Sequence, residues 1–443
     1  MQNQGIRDAR SLGTPKLLVL GLQHMFAMFG ATVLVPALTG LSVSATLLFA
    51  GLGTLFFHFV TKGKVPAFLG SSFAYLAGYA AIAPNGEAAL LPYACVGVAA
   101  SGLLYLILAA LVRGFGANRV MRFFPPVVTG PIIICIGMTL ANSAINNCTG
   151  GWDIALVAIL TVVIFNIWGK GMLRIIPILL GVLVSYVYAA VTGRVDFSGV
   201  ASAAWIGLPV KMENTVFSLI GNCDANLLVT AIVAIMPIAF ATMIEHIGDI
   251  CAISSTVGAN FIADPGLHRT LLGDGLATSI ASLFGAPANT TYGENTGVLA
   301  LTRVYDPLVI RLAAVYAIIA SFCPKFAALV SAMPTGTIGG VSLILYGMIS
   351  AIGVRNLVEN RVDLAKSRNV IVVSLIISLA LGITFSAAGA ITFHVGEFTL
   401  NFSGLAVAAI VGIVVNAILP GKDYNFQNDY EYGKTTEDHG QML

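Results

Sequence analysis

Apolar runs of roughly 18 to 25 residues recur from one end of this chain to the other, each long enough to cross a ~30 Å hydrocarbon core as an α-helix. No other feature limits the fold as much. The chain has 443 residues, 57% of them hydrophobic and only 9% charged. A soluble chain carries about 25% charged residues, so this one lacks the polar groups to cover a water-facing surface. It reads as an all-α polytopic membrane protein.

The runs fall at 17–37, 43–61, 66–83, 88–112, 125–145, 153–168, 173–192, 226–249, 271–286, 288–302, 307–323, 330–351, 369–389 and 402–419, about fourteen spans. If the N-terminus is cytoplasmic, nearly every Lys and Arg lies on that side, from Arg7 and Arg10 to Lys422 and Lys434. Arg194, Lys211 and Lys325 fall outside and Arg311 lies within a span. This positive-inside bias supports both the orientation and an even span count. The first run carries Gln23 and His24 and continues past Pro36 without a small-residue cleavage site, so it reads as a retained helix. The six cysteines are scattered without a CxxC and read as packing residues.

Two pairs of landmarks suggest an internal repeat. "FLGSSFAY" at 68–75 resembles "LFGAPANTTY" at 283–292, and "GPIIICIGM" at 130–138 resembles "GVSLILYGM" at 340–348. Gly70 to Gly285 and Gly130 to Gly340 are nearly equal offsets. A unit of seven spans is odd, so its second copy must lie upside down, as in secondary transporters that hold substrate near the midplane at interrupted helices.

The interruptions are visible. "VPAFLGSSFAY" (65–75) and "GAPANTTYGEN" (285–295) each carry Pro and Gly, with Ser, Thr or Asn to bond the freed backbone. Irregular backbone at membrane depth is tolerated only where protein or a cavity satisfies it. Two inverted breaks would meet head to head, and the helices that follow would aim their free N–H groups into one pocket.

Four acids lie within spans: Glu245, Asp249, Asp274 and Glu294. A charge at the bilayer centre costs about 2.5–3.5 kcal/mol or more, so each needs a reason. Glu245 and Asp249 are one turn apart on one helix face. If Glu245 and Glu294 share a dry pocket, they would hold at least one proton near neutral pH and titrate as a unit. Such a pocket suits a flat, uncharged heterocycle of alternating N–H and C=O. An interhelical ion pair is the plainer reading of each acid; it is favoured for Asp274 and evenly balanced for Asp249. Hydrogen bonding between helices is the preferred reading of His24 and His246. No HExxH, GxSxG or Cys/His cluster is present, which argues against an enzyme and against a metal site.

"GENTGVLALTR" at 293–303 resembles the signature of the nucleobase–ascorbate transporters (nucleobase–cation symporter-2), through Glu294, Asn295, Gly297, Thr302 and Arg303. "LQHMFAMFGATVLVP" (22–36), "GKVPAFLGSSFAY" (63–75), "DPGLHR" (264–269) and "GGVSLILYGMI" (339–349) resemble the bacterial uracil permeases of that family. The resemblance implies about fourteen spans as two inverted seven-span repeats, with short extended breaks in spans 3 and 10. It implies a cytoplasmic N-terminus (1–16), core segments at 17–112 and 226–323, gate segments at 113–215 and 324–419, and a polar cytoplasmic tail (420–443). It also implies that Glu245 accepts from the uracil ring N–H, that backbone at Phe73 and Gly293 meets the carbonyl side, and that Glu294, Tyr292 and Tyr346 complete the pocket. Proton coupling would fall to Glu245, Glu294 and Asp249. Some uracil permeases have histidine where this chain has Asp249, and aspartate there also occurs in purine-type members.

The expected function is proton-coupled uracil uptake across a bacterial inner membrane, the core moving against the gate. The expected partners are uracil, the bilayer and a second copy through the gate, with no cofactor beyond the co-transported proton and no nucleic acid. A xanthine or urate permease of the same family is the alternative. An anion carrier of related fold is a second one, disfavoured because two acids would repel its substrate.

Overall fold

The computed structural model describes residues 5–221, 223–395 and 398–421. Most of the expected tail, with Lys422 and Lys434, lies outside the described residues. The first half contains α1 (Thr14–Thr39), α2 (Val43–Val60), β1 (Leu69–Ser71), α3 (Leu76–Ile82), α4 (Leu91–Phe115), α5 (Pro126–Cys148), α6 (Trp152–Trp168) and α7 (Pro177–Val191). The second half contains α8 (Ala225–Ile235), α9 (Ala239–Val257), α10 (Leu267–Leu283), β2 (Asn289–Thr291), α11 (Gly293–Thr302), α12 (Pro307–Ser321), α13 (Pro324–Ser331), α14 (Thr335–Glu359), α15 (Ser367–Thr384), the strands β3 (Ala390–Val395) and β4 (Phe398–Ser403), and α16 (Gly404–Ile418). Shorter helical turns link them.

Each expected span meets a helix or a strand followed by a helix. Among the described residues, seven helices are long and apolar enough to cross a membrane unaided, or eight if the pair α12–α13, bent by 88°, is one span. Helix length alone therefore does not establish fourteen crossings. Three differences from the sequence reading stand out, the first two at prolines. A 3-10 turn at Met236–Ile238, where Pro237 removes a backbone donor, joins α8 and α9 into one run to Val257, well past the expected end at 249. Pro324 starts α13 after a sharp corner at Cys323. The loop before α16 is an antiparallel β-hairpin, Ala390–Val395 against Phe398–Ser403.

Side-chain caps set several helix starts: Ser42 for α2, Asp224 for α8, Asp306 for α12 and Ser403 for α16. Each accepts from first-turn N–H groups that have no intrahelical partner. Packing joins the halves. α4 lies along α10, and α2 along α10 and α12, while α5 lies along α14, and α14 also packs on α6. The α4–α10 crossing is close because both helices present glycine there. A Cβ on Gly102 would come 2.5 Å from the Gly275 carbonyl, and small residues are what let membrane helices approach so near.

Candidate functional site

The two breaks meet. β1 and β2 pair antiparallel, with Leu69 opposite Thr291, Gly70 opposite Thr290 and Ser71 opposite Asn289. The Ser72 N–H donates to Ala288 O at 2.8 Å and the Tyr292 N–H to Phe68 O at 3.0 Å, which extends the ladder by one bond at each end. Strand equivalence therefore sets Gly70 against Thr290. Gly285, the expected counterpart, lies earlier, in a turn at φ +78°.

The surrounding helices satisfy the remaining backbone in matched fashion. Thr54 of α2 accepts from the Leu69 N–H at 2.9 Å, and Thr278 of α10 donates to Asn289 O at 2.9 Å. Asn289 Nδ2 donates to Phe49 O at 3.0 Å, and His58 Nε2 meets Ala67 O at 2.9 Å. This is how irregular backbone survives where water is absent.

The Tyr292 hydroxyl donates to Ser71 O at 2.9 Å and lies 3.4 Å from Thr32 Oγ1 of α1; Ser71 Oγ donates to Thr32 O at 2.8 Å. The side chain expected to line the pocket thus braces the strand crossing. A Cβ on Gly70 would come 2.4 Å from the Tyr292 ring, so glycine is required there by close approach.

α11 begins immediately after β2, so its unpaired first-turn N–H groups start at the crossing. Gly293 faces open space: a Cβ there would meet nothing within 4 Å. Glu294, in that first turn, is half-buried. Glu245 is half-buried on α9, and its Oε2 is inaccessible and without a hydrogen-bond partner among the described residues. Glu245 is near enough to Asp274 and to Glu294 for their charges to repel, and Asp249 is near enough to all three. Asp249 is tied to the break, because Thr291 Oγ1 donates to its Oδ2 at 2.8 Å. It sits two turns short of the end of α9, not at a helix end.

Phe73, just after β1, meets Tyr346 of α14 edge to face with ring centroids 5.7 Å apart. Tyr346 is 1% exposed, and its hydroxyl makes no well-aligned hydrogen bond among the described residues. The expected site residues are thus carried by four elements: the break after β1, α9, the start of α11, and α14.

The two histidines bridge helices. Asn295 Nδ2 donates to His24 O at 3.1 Å and lies 3.2 Å from His24 Nδ1. His246 Nδ1 lies 3.1 Å from Asp274 Oδ2, both side chains fully buried and not aligned for a hydrogen bond. The sequence reading did not single out Thr242, whose hydroxyl lies 3.2 Å from that of Tyr75 and so ties α9 to the segment after β1 three residues before Glu245. That i, i+3 spacing on the Glu245 face was the available signal.

Residues 15–389 match the permease family. The chain belongs to that family. This permease is 42% identical over 437 residues to the uracil permease of Bacillus caldolyticus, covering 96% of each chain. It is 39% identical to the uracil permease of Bacillus subtilis (99% and 98% covered) and 38% identical to that of Escherichia coli K12 (90% of each). Among solved structures, it resembles the transmembrane domain of a cyanobacterial bicarbonate transporter, BicA, with a TM-score of 0.61 at 13% identity, covering 93% of this chain and 98% of that one. It resembles murine Slc26a9, an anion transporter solved in an inward-facing state, with a TM-score of 0.61 at 11% identity, covering 91% and 67%. At such identities the likeness is one of fold: this permease is a mostly helical, multi-pass membrane protein with the inverted-repeat architecture of those transporters.

Proposed function

We propose that this permease takes up uracil together with a proton. The observation that supports the reading is the paired β1–β2 crossing, from which α11 starts with Glu294 in its first turn and within electrostatic range of Glu245, in a chain about 40% identical to proteins named uracil permeases. Uracil offers ring N–H donors and carbonyl acceptors. Glu245 accepts from a ring N–H; the backbone at Phe73 and Gly293 donates to carbonyl oxygen; Glu294 completes the polar rim; Tyr292 and Tyr346 form its aromatic walls. Glu245, Glu294 and Asp249 share the coupling proton, because carboxylates this close cannot all ionise in a dry site. Neutralising them lets the site close, since burying unpaired charge is costly.

In this reading the group of α1 to α4 with α8 to α12 is the moving core, and α5 to α7 with α13 to α16 the gate, through which two copies associate. Both termini face the cytoplasm. Asp249 favours a second reading, xanthine as substrate, because it replaces the histidine of some uracil permeases.

Uptake of radiolabelled uracil into proteoliposomes, with and without an imposed pH gradient and with excess xanthine as competitor, tests both. Uracil accumulation that follows the gradient and ignores xanthine is the expected result. Accumulation of labelled xanthine in the same vesicles without accumulation of labelled uracil would replace the substrate, and gradient-independent uptake would remove the proton.

A further inference from the structure

Arg311 stands one turn inside α12, in a membrane span, where a charge needs a partner. It is half-buried, its Nε is inaccessible, and it makes no hydrogen bond or ion pair among the described residues. Other arginines tucked against helix ends do better. Arg7 donates to Val257 O, Arg269 to Val60 O, and Arg368 to Asn416 Oδ1. The acid nearest in sequence, Asp306, is occupied: Oδ1 accepts from the Leu308 N–H at 2.9 Å and Oδ2 from the Ala9 N–H at 2.8 Å.

His58, in the last turn of α2, is within electrostatic range of Arg311 but is buried with its Nε2 on Ala67 O, so it supplies Arg311 with no counter-charge. Positive charge gathers instead on the lysines at this end of α1 and α2. Lys62 follows α2 by two residues, and Lys16 lies in the first turn of α1; both are exposed and neither forms an ion pair among the described residues. The remaining acids nearby are engaged, Asp264 with Lys64 and Asp8 with the Arg10 N–H. The same face is apolar and exposed, from Phe59 at this end to Leu52 farther along α2 and to Val315 and Ile319 on α12. The two helices touch closely where Gly51 faces the Ala314 carbonyl.

We propose that Arg311, with Lys62 and Lys16, binds the phosphate of an anionic phospholipid whose acyl chains lie along the α2–α12 face. A guanidinium offers a planar pair of donors to phosphate oxygens, and basic clusters at the end of an apolar helix face are the setting in which anionic headgroups bind. The lipid supplies the counter-ion that the protein withholds.

The test uses the full chain in nanodiscs of phosphatidylcholine with and without phosphatidylglycerol, read by thermal unfolding and by native mass spectrometry of retained lipid. Phosphatidylglycerol should raise the unfolding midpoint and be retained over phosphatidylcholine. Arg311→Gln should bind it about tenfold less well, the equivalent of one charge-assisted bond, while Lys211→Gln in an exterior loop leaves it unchanged. If Arg311→Gln does not fold, Arg311→Lys and Lys62→Gln carry the test, each with a graded loss of phosphatidylglycerol retention. Equal midpoints in the two lipids, an undiminished preference in these variants, or the same stabilisation by inorganic phosphate in neutral discs would each overturn the proposal, the last by making the site one for a free anion.

Discussion

Thr291 donates its hydroxyl to Asp249 Oδ2 at 2.8 Å, so the second break and the helix bearing Glu245 are joined by one bond. Any change in charge at Asp249 is felt by the strand that positions Gly293 and Glu294. Asp249→Ala removes the acceptor and leaves a buried hydroxyl unsatisfied, at a cost of about 1–3 kcal/mol. A thermal midpoint several degrees below wild type in detergent is the expected reading. Asp249→Asn keeps an acceptor and should stay near the wild-type midpoint while flattening the dependence of uptake on external pH. A full pH response in the Asn variant would take Asp249 out of proton coupling.

Glu245→Gln keeps the shape of the side chain but cannot take up and release a proton. Uracil uptake should fall at least about tenfold, the loss of one charge-assisted hydrogen bond to substrate, and the residual uptake should no longer rise as the outer medium is acidified. Wild-type rates in this variant would show that another group receives the ring N–H.

The strand crossing depends on the absence of a side chain at Gly70, where a Cβ would come 2.4 Å from the Tyr292 ring. Gly70→Val should separate β1 from β2 and abolish uptake. Tyr292→Phe removes only the hydroxyl that donates to Ser71 O and should lower stability by about 1 kcal/mol with most uptake retained. If Gly70→Val transports normally, the pairing is not what positions the site.

Phe73 and Tyr346 are in edge-to-face contact, and aromatic pairs of this kind are worth about 0.5–1.5 kcal/mol beyond their buried area. Tyr346→Ala should raise the KM for uracil up to about tenfold, whereas Tyr346→Phe, which keeps the ring, should stay near wild type. A larger effect from Phe than from Ala would assign the recognition to the hydroxyl.

Asn295 donates from one amide to the His24 carbonyl and lies beside the His24 ring, across the two halves of the chain. Asn295→Ala should lower the thermal midpoint even without substrate, because it strands polar atoms of α1 in a buried site. A midpoint equal to wild type, with uptake lost, would give Asn295 a direct role in transport.

Apolar runs with few charges leave a chain no option but lipid-embedded helices, so the membrane class and the approximate helix positions could be read from the sequence. So could the two interruptions, because Pro and Gly beside Ser, Thr and Asn break helices by local geometry alone. Glu245 and Glu294 stood out because charged groups in spans are costly, whatever surrounds them, and Asn295 through the signature it shares with Glu294. Partners were another matter. That Thr290 and not Gly285 faces Gly70, that Tyr292 braces a strand, that Asp249 answers to Thr291 and His246 to Asp274, all join residues from separate spans. Such pairings follow from how helices cross and at what depth, which no local pattern encodes. The β3–β4 hairpin was hidden for the same reason: β4 packs on α8, a helix far from it in sequence.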